Sequence, residues 1–244
     1  MPYLSRMEIE AIATRVVKAY QRMVEATGDV IQRIYPEVLL QNLLGLNITY
    51  RTLSTDGSIL GMTAFDQVSV QIYERKNPTY FYLDGRTVLI ESALIGQDVN
   101  PGRLHFTLVH EASHHILRML FPKEYVPGIN HRRVYCCADS SILRSGKQAD
   151  WEEWRVNTLT AAILMPLDLL MKHLKAVGLD QKIHMLNRVF APKEYQAFAA
   201  VAENLSVSKS ALSIRLEQLG LLARNDLKDP YALVRIEPDE EELF

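Results

Sequence analysis

The chain has 244 residues, 48 % of them hydrophobic, with 27 Lys and Arg against 29 Asp and Glu and a formal net charge of −2. Such a chain can bury a substantial core and fits one domain of moderate size plus an appendage; nothing in its composition argues for disorder. Met1-Pro2-Tyr3-Leu4-Ser5-Arg6 opens no apolar signal-like run, and no stretch approaches ~18 uninterrupted apolar residues, which argues against secretion and membrane spanning and predicts a cytoplasmic protein.

Ile9, Ile12, Val16, Val17, Tyr20, Met23 and Val24 recur at helical spacing, predicting a helix over 7–26 with Gly28 just past its end. A short second helix is expected over 36–44, stopped by Gly45. The period then changes to short β-branched and aromatic runs at 47–50, 58–65, 68–73, 80–83 and 87–90, separated by Asp56-Gly57, Asn77-Pro78 and Asp84-Gly85. This pattern predicts a small, mostly antiparallel sheet with hairpins, Asp84-Gly85 being the clearest turn. The class is therefore α+β. A strand at the sheet edge could hold an extended peptide by strand addition.

After Asn100-Pro101-Gly102, a good helix start, comes Phe106-Thr107-Leu108-Val109-His110-Glu111-Ala112-Ser113-His114. On a helix, residues i and i+4 share a face, so His110 and His114 converge while Glu111 points to the neighbouring flank. Two neutral imidazoles hold Zn²⁺ at about 2.0–2.1 Å, and the adjacent carboxylate can take a proton from water activated by the ion. About 0.02 chance matches to His-Glu-x-x-His are expected at this composition, so the bland reading of two unrelated histidines on one helix is weak.

A third ligand is expected from Trp151-Glu152-Glu153-Trp154-Arg155-Val156-Asn157, where a helix with an apolar stripe of Val156, Leu159, Ala162 and Ile163 runs to Pro166. Glu153 is favoured over Glu152 because Asn157 lies one turn on, where it can orient a ligating imidazole by hydrogen bonding. Both carboxylates also suit the bland role of first-turn acids. Cys136 and Cys137 are adjacent. They could join His131 in a metal site, yet they match no Cys-x-x-Cys spacing and read better as reduced thiols.

Residues 195–204 and 208–219 read as two short helices joined at Leu205-Ser206-Val207, with Ser208 as N-cap and Gly220 as stop, an arrangement like a helix-turn-helix. Between 191 and 229 lie five cations (Lys193, Lys209, Arg215, Arg224, Lys228) and five carboxylates (Glu194, Glu203, Glu217, Asp226, Asp229). That balance favours a structural or protein-binding role over DNA binding. The acid cluster 237–242 reads as a solvated tail.

Taken together, 106–114 with its His-Glu-x-x-His, Glu153-x-x-x-Asn157 and the ending Ile163-Leu164-Met165-Pro166, followed by Val207-Ser208-x-x-Ala211-x-x-x-Arg215-Leu216-x-x-Leu219-Gly220-Leu221, resemble the ImmA/IrrE family of bacterial zinc metallopeptidases. The resemblance implies a gluzincin-like core over 1–185 with the sheet packed on a zincin-type active-site helix, and a helix-turn-helix-like region over 186–244. It implies His110, His114 and Glu153 as zinc ligands and Glu111 as general base. Its substrate would be a helix-turn-helix repressor, cut in a stress or mobile-element response. The chain departs from the family in having Ser113 where Gly is usual, and an apparent insertion at 121–150.

In the expected mechanism Glu111 accepts a proton from the attacking water and delivers it to the departing amine. By residue type, His115, His131, Tyr135 or His184 could help to hold the oxyanion; His115 is the weakest candidate because it points about 100° away from His114. Two rival readings are a regulatory DNA- or protein-binding module with a structural or vestigial metal site, and a zinc hydrolase acting on something other than protein.

Overall fold

The protein was analysed as a computed structural model that describes residues 4–26, 28–96, 100–125, 134–138 and 151–232. Its class is α+β. Helix α1 (Arg6–Glu25) starts at a capping box, with the Ser5 hydroxyl accepting from the Glu8 N–H and the Glu8 carboxylate accepting from the Ser5 N–H at 2.8 Å. It buries Ile9, Ala13, Val17 and Tyr20 along one stripe. Helix α2 (Pro36–Val38) continues into a π turn over Leu39–Leu43.

Strands β1 (Asn47–Arg51), β2 (Ile59–Ala64), β5 (Thr87–Glu91) and β6 (Val134–Ala138) form a mixed sheet in the order β1-β5-β2-β6. The β1–β5 pair is parallel, and the β5–β2 and β2–β6 pairs are antiparallel. Strands β3 (Val68–Glu74) and β4 (Asn77–Leu83) make a separate two-stranded ribbon.

The turns differ from expectation in two places. The β3–β4 hairpin closes at Arg75 and Lys76, with φ of 50° and 69°, and Asn77-Pro78 lies inside β4. A two-residue loop with both φ values positive matches the right-handed twist of the flanking strands, and Pro78 is tolerated because β4 has β3 as its ladder partner and an outer edge. Asp84-Gly85 is a turn but not a hairpin. The Asp84 carboxylate accepts from the Arg86 and Thr87 N–H groups at 2.8 Å, and the chain leaves the ribbon there to enter β5 of the other sheet.

Strand alternation divides the apolar residues between two cores. Val88 and Ile90 of β5 join the large core under the helices, while Leu89 faces a smaller core with Met62, Val70, Ile72 and Leu83 beneath the ribbon. The sheet is thus covered on both faces.

Helix α3 (Pro101–Leu120), with Asn100 as N-cap, packs on β2, β5 and β6. Helix α4 (Trp151–Leu164) packs against α3 and α1, burying Val156, Leu159, Ala162 and Ile163. Pro166 ends α4 and caps α5 (Leu167–Ala176), a helix with no counterpart among the predicted elements although Leu169, Leu170 and Leu174 mark its buried face. Helices α6 (Pro192–Asn204) and α7 (Lys209–Gln218) meet at Leu205-Ser206-Val207, and the Ser208 hydroxyl caps α7 by accepting from the Ala211 N–H at 3.0 Å. Phe198, Leu212, Leu216 and Leu222 belong to the same large core as Ile9, Leu108 and Leu159. Among the described residues no helix is long and apolar enough to cross a membrane.

One ion pair locks the ends of this core together. Arg215 of α7 is fully buried; its guanidinium donates to both Glu10 carboxylate oxygens, at 2.9 Å for Nη2 to Oε2, and its Nε donates to the Met165 carbonyl at 3.3 Å. Removing one partner of such a pair leaves an uncompensated buried charge. Glu10→Ala is therefore expected to lower stability by about 3–5 kcal/mol in urea unfolding, and Glu10→Ala combined with Arg215→Met to recover most of that loss. A Glu10→Ala cost below about 1 kcal/mol would contradict the assignment.

Candidate metal centre

Residues 106–114 form the middle of α3, and helical geometry puts His110 and His114 one turn apart on the face turned toward α4. Their rings stand 5.0 Å apart, and both are buried, at 2 % and 0 % exposure. The first turn of α4 supplies the third group. Glu153 Oε2 lies 3.3 Å from His110 Nε2, and Glu153 Oε1 lies 3.8 Å from His114 Nε2. It is Glu153, not Glu152, that meets the imidazoles.

Ligand atoms of His110, His114 and Glu153 all lie within 4.8 Å of one another. Donors at about 2.0–2.2 Å from a tetrahedral ion are about 3.4 Å apart, so these spacings suit a divalent cation. His110 Nε2 is buried and has no hydrogen-bond partner among the described residues, whereas its Nδ1–H donates to Asn157 Oδ1 at 3.1 Å. That bond selects the tautomer whose Nε2 lone pair faces Glu153, the state a metal ligand requires. The residues present fit a metal.

Glu111 sits beside this group and is fully buried. Neither of its oxygens makes a well-formed hydrogen bond among the described residues. Burial, helped by the nearby Glu153 charge, raises its carboxyl well above the usual carboxylate range, and the Cys137 backbone amide facing it offsets only part of that. Space for the carboxylate comes from β2. A Cβ on Gly61 would lie 2.5 Å from Glu111 Oε1 and 2.8 Å from Thr107 Cγ2, so glycine is the residue that lets this helix approach the strand.

Strand β6, inside the apparent insertion, forms another wall. Cys136 and Cys137 are reduced thiols that line one cleft with the candidate ligands, and Cys137 Sγ lies within 4.8 Å of ligand atoms of both His110 and Glu111. Burial first, and the Glu111 and Glu153 charges after it, push this thiol well above its ordinary range, so it is a neutral thiol. Periodicity gave no reason to place either cysteine or Gly61 here; the only local cue was the β-compatible run Val134-Tyr135-Cys136-Cys137.

The cleft holds about 860 Å³ and is lined by Phe106, Thr107, His110, Glu153, Trp154 and Asn157, among others. Of the oxyanion candidates, Tyr135 packs its ring on His114 at 4.7 Å between centroids. His184 is exposed and does not line the cleft, and His131 lies outside the described residues. His115 turns away into the sheet, where its Nε2 bonds Thr63 Oγ1 at 2.7 Å and its ring meets Phe65 edge-on. Ser113 spans the α3–α4 contact, donating to the Val109 carbonyl at 2.8 Å and pairing with the Thr160 hydroxyl at 3.1 Å.

Burial, and then the Arg118 charge, depress the His115 imidazole to about 4. In the unfolded chain it protonates near 6.5. The unfolded state therefore takes up the proton first as pH falls. The stability contributed by neutral His115 is complete above about pH 6.5 and is lost progressively down to about pH 4, by at most about 3 kcal/mol. In urea unfolding of chelator-treated protein, the stability advantage of wild type over His115→Gln should shrink across that window. A difference independent of pH would refute this.

No protein-family model matches the chain, and no curated protein matches it.

Proposed function

We propose that the protein is a zinc-dependent endopeptidase of the ImmA/IrrE type that acts in the cytoplasm on a helix-turn-helix transcriptional repressor. The observation that carries the reading is the convergence of His110, His114 and Glu153 at one edge of a cleft, with a buried carboxylate, Glu111, next to them. Two imidazole nitrogens and one carboxylate oxygen are the donor set of catalytic zinc centres, which keep a further position for water or substrate, whereas structural zinc sites close with four protein ligands. Glu153 is 27 % exposed, so the centre communicates with the cleft.

When bound, zinc supplies Lewis acidity that activates water as a nucleophile and polarises a carbonyl near neutral pH. The residues of the chain do the rest. Asn157 holds the His110 ring, Glu111 accepts the proton of the attacking water, and the same carboxyl returns it to the departing amine. A carboxyl whose burial raises its affinity for a proton is suited to hold that proton between the two transfers. Peptide as substrate is supported by β6, which pairs with β2 on one side and carries the cleft-lining Cys136 and Cys137. Among the described residues its other edge has no strand partner, which leaves room beside the centre for an extended chain. The choice of a repressor as substrate rests on the motif resemblance.

The rival reading, a DNA-binding regulator with a structural or vestigial metal site, needs free cations on the helix pair. It is disfavoured because Arg215 is buried against Glu10, which leaves Lys193 and Lys209 as the exposed cations of the two helices.

The test is co-expression of wild type and Glu111→Gln with the repressors of the host, followed by analysis of truncated products and of zinc content. Both proteins should hold one zinc per chain, and Glu111→Gln should cut about 10²–10⁴-fold more slowly. Equal cutting by the two would overturn the general-base assignment. In a separate titration with a zinc indicator, Asn157→Ala should bind zinc about 10–100-fold more weakly than wild type; unchanged affinity would remove Asn157 from its orienting role.

A further inference from the structure

Part of the cleft wall comes from outside the helices that carry the candidate ligands. Ser208, Ala211, Ile214 and Gln218 line it, a spacing of three, three and four residues that marks one continuous face of α7 and its cap. The remaining face of α7 buries Leu212, Arg215 and Leu216 in the core. Ile214 is 51 % exposed, a large aliphatic side chain left open on the cleft side, where Phe106 and Trp154 also stand. Gln218 adds a polar feature. Its Oε1 is shut off from solvent and has no hydrogen-bond partner among the described residues, so a turn of the amide into the cleft, where a ligand donor can meet it, would relieve that cost.

This wall is fixed with respect to the metal centre. At the start of α3, a Cβ on Gly102 would lie 2.4 Å from the Ser208 nitrogen, so glycine lets the α6–α7 turn seat directly on α3. His105 Nδ1 bonds the Ser206 carbonyl at 3.0 Å in the same contact. At the other end, Arg215 ties α7 to the Met165 carbonyl, just past the end of α4. Helix α7 is therefore clamped to both helices that bring the His110, His114 and Glu153 side chains together.

We infer that α7 is the specificity wall of the substrate cleft: Ile214, with Phe106 and Trp154, takes a large aliphatic side chain flanking the scissile bond, and the Gln218 amide bonds the substrate backbone. The inference rests on the peptidase reading and adds to it a substrate class, peptides with a bulky apolar residue at that position in preference to a small or acidic one. It also gives the C-terminal helix pair a role in choosing the substrate.

The test uses the zinc-loaded full chain as wild type, Ile214→Ala, Ile214→Asp and Gln218→Ala. The probes are acetohydroxamate, N-acetylglycine hydroxamate and N-acetylleucine hydroxamate, with affinities measured by calorimetry. Wild type should prefer the leucine over the glycine probe by about tenfold or more, the scale of a well-seated aliphatic group. That preference should fall below about threefold in Ile214→Asp and to an intermediate value in Ile214→Ala, while acetohydroxamate affinity stays the same in all four proteins. Gln218→Ala should weaken both amino-acid probes alike. A leucine preference that is absent in wild type, or unchanged in both Ile214 variants, overturns the inference. A further arm with acetyl-Gly-Leu-Gly-amide and tryptophan fluorescence needs no chelation. If no hydroxamate binds through zinc, yet this peptide binds in an Ile214-dependent way, the wall stands and the metallopeptidase reading falls. If neither binds, both fall.

Discussion

Three titratable side chains within five residues of α3, His110, Glu111 and His114, lie at 0–2 % exposure inside a largely apolar core. Burying such groups is unfavourable unless each finds a partner, and two of them keep polar atoms with no hydrogen bond among the described residues. A cation held between the imidazoles and Glu153 would supply the partner that His110 Nε2 lacks and an opposite charge beside Glu111. The surrounding structure is arranged around that requirement: Gly61 gives Glu111 its space, Asn157 sets the His110 tautomer, and Ser113 and Thr160 satisfy each other where α3 meets α4.

The same logic accounts for the C-terminal helices. Arg215 extends through the core to Glu10 of α1 and to the Met165 carbonyl past the end of α4, so one of the two cations of α7 is spent on holding the molecule together. What α7 presents outward is Ser210, Ile214 and Glu217, with Lys209 at its start held over the Tyr195 ring. Such a surface has little to offer a phosphate backbone and more to offer an apolar side chain. The balance of charges read from residues 191–229 pointed the same way, although it could not show that Arg215 was internal.

His115 shows how neighbouring histidines on one helix are separated by environment. Rotated by about 100° from His114, it enters the sheet, bonds Thr63 and lies against Phe65, and burial keeps it neutral. His114, on the opposite flank, meets Tyr135 and Glu153. One turn of helix thus supplies both a structural imidazole and a candidate ligand.

How much of this was legible in the chain depends on distance along it. The i and i+4 histidines, the Asn100 cap, the amphipathic stripe of α1 and the end of α4 at Pro166 follow from local geometry, so sequence determined them. The β3–β4 turn did not follow, because Arg75 and Lys76 adopt positive φ without the glycine or asparagine that would have marked it. The parallel β1–β5 pair, the β6 edge with Cys137 beside Glu111, the close approach at Gly61 and the α7 wall belong to tertiary structure. Each joins segments far apart in the chain, and their placement is decided by which buried faces pack together, a property that no local window of residues contains.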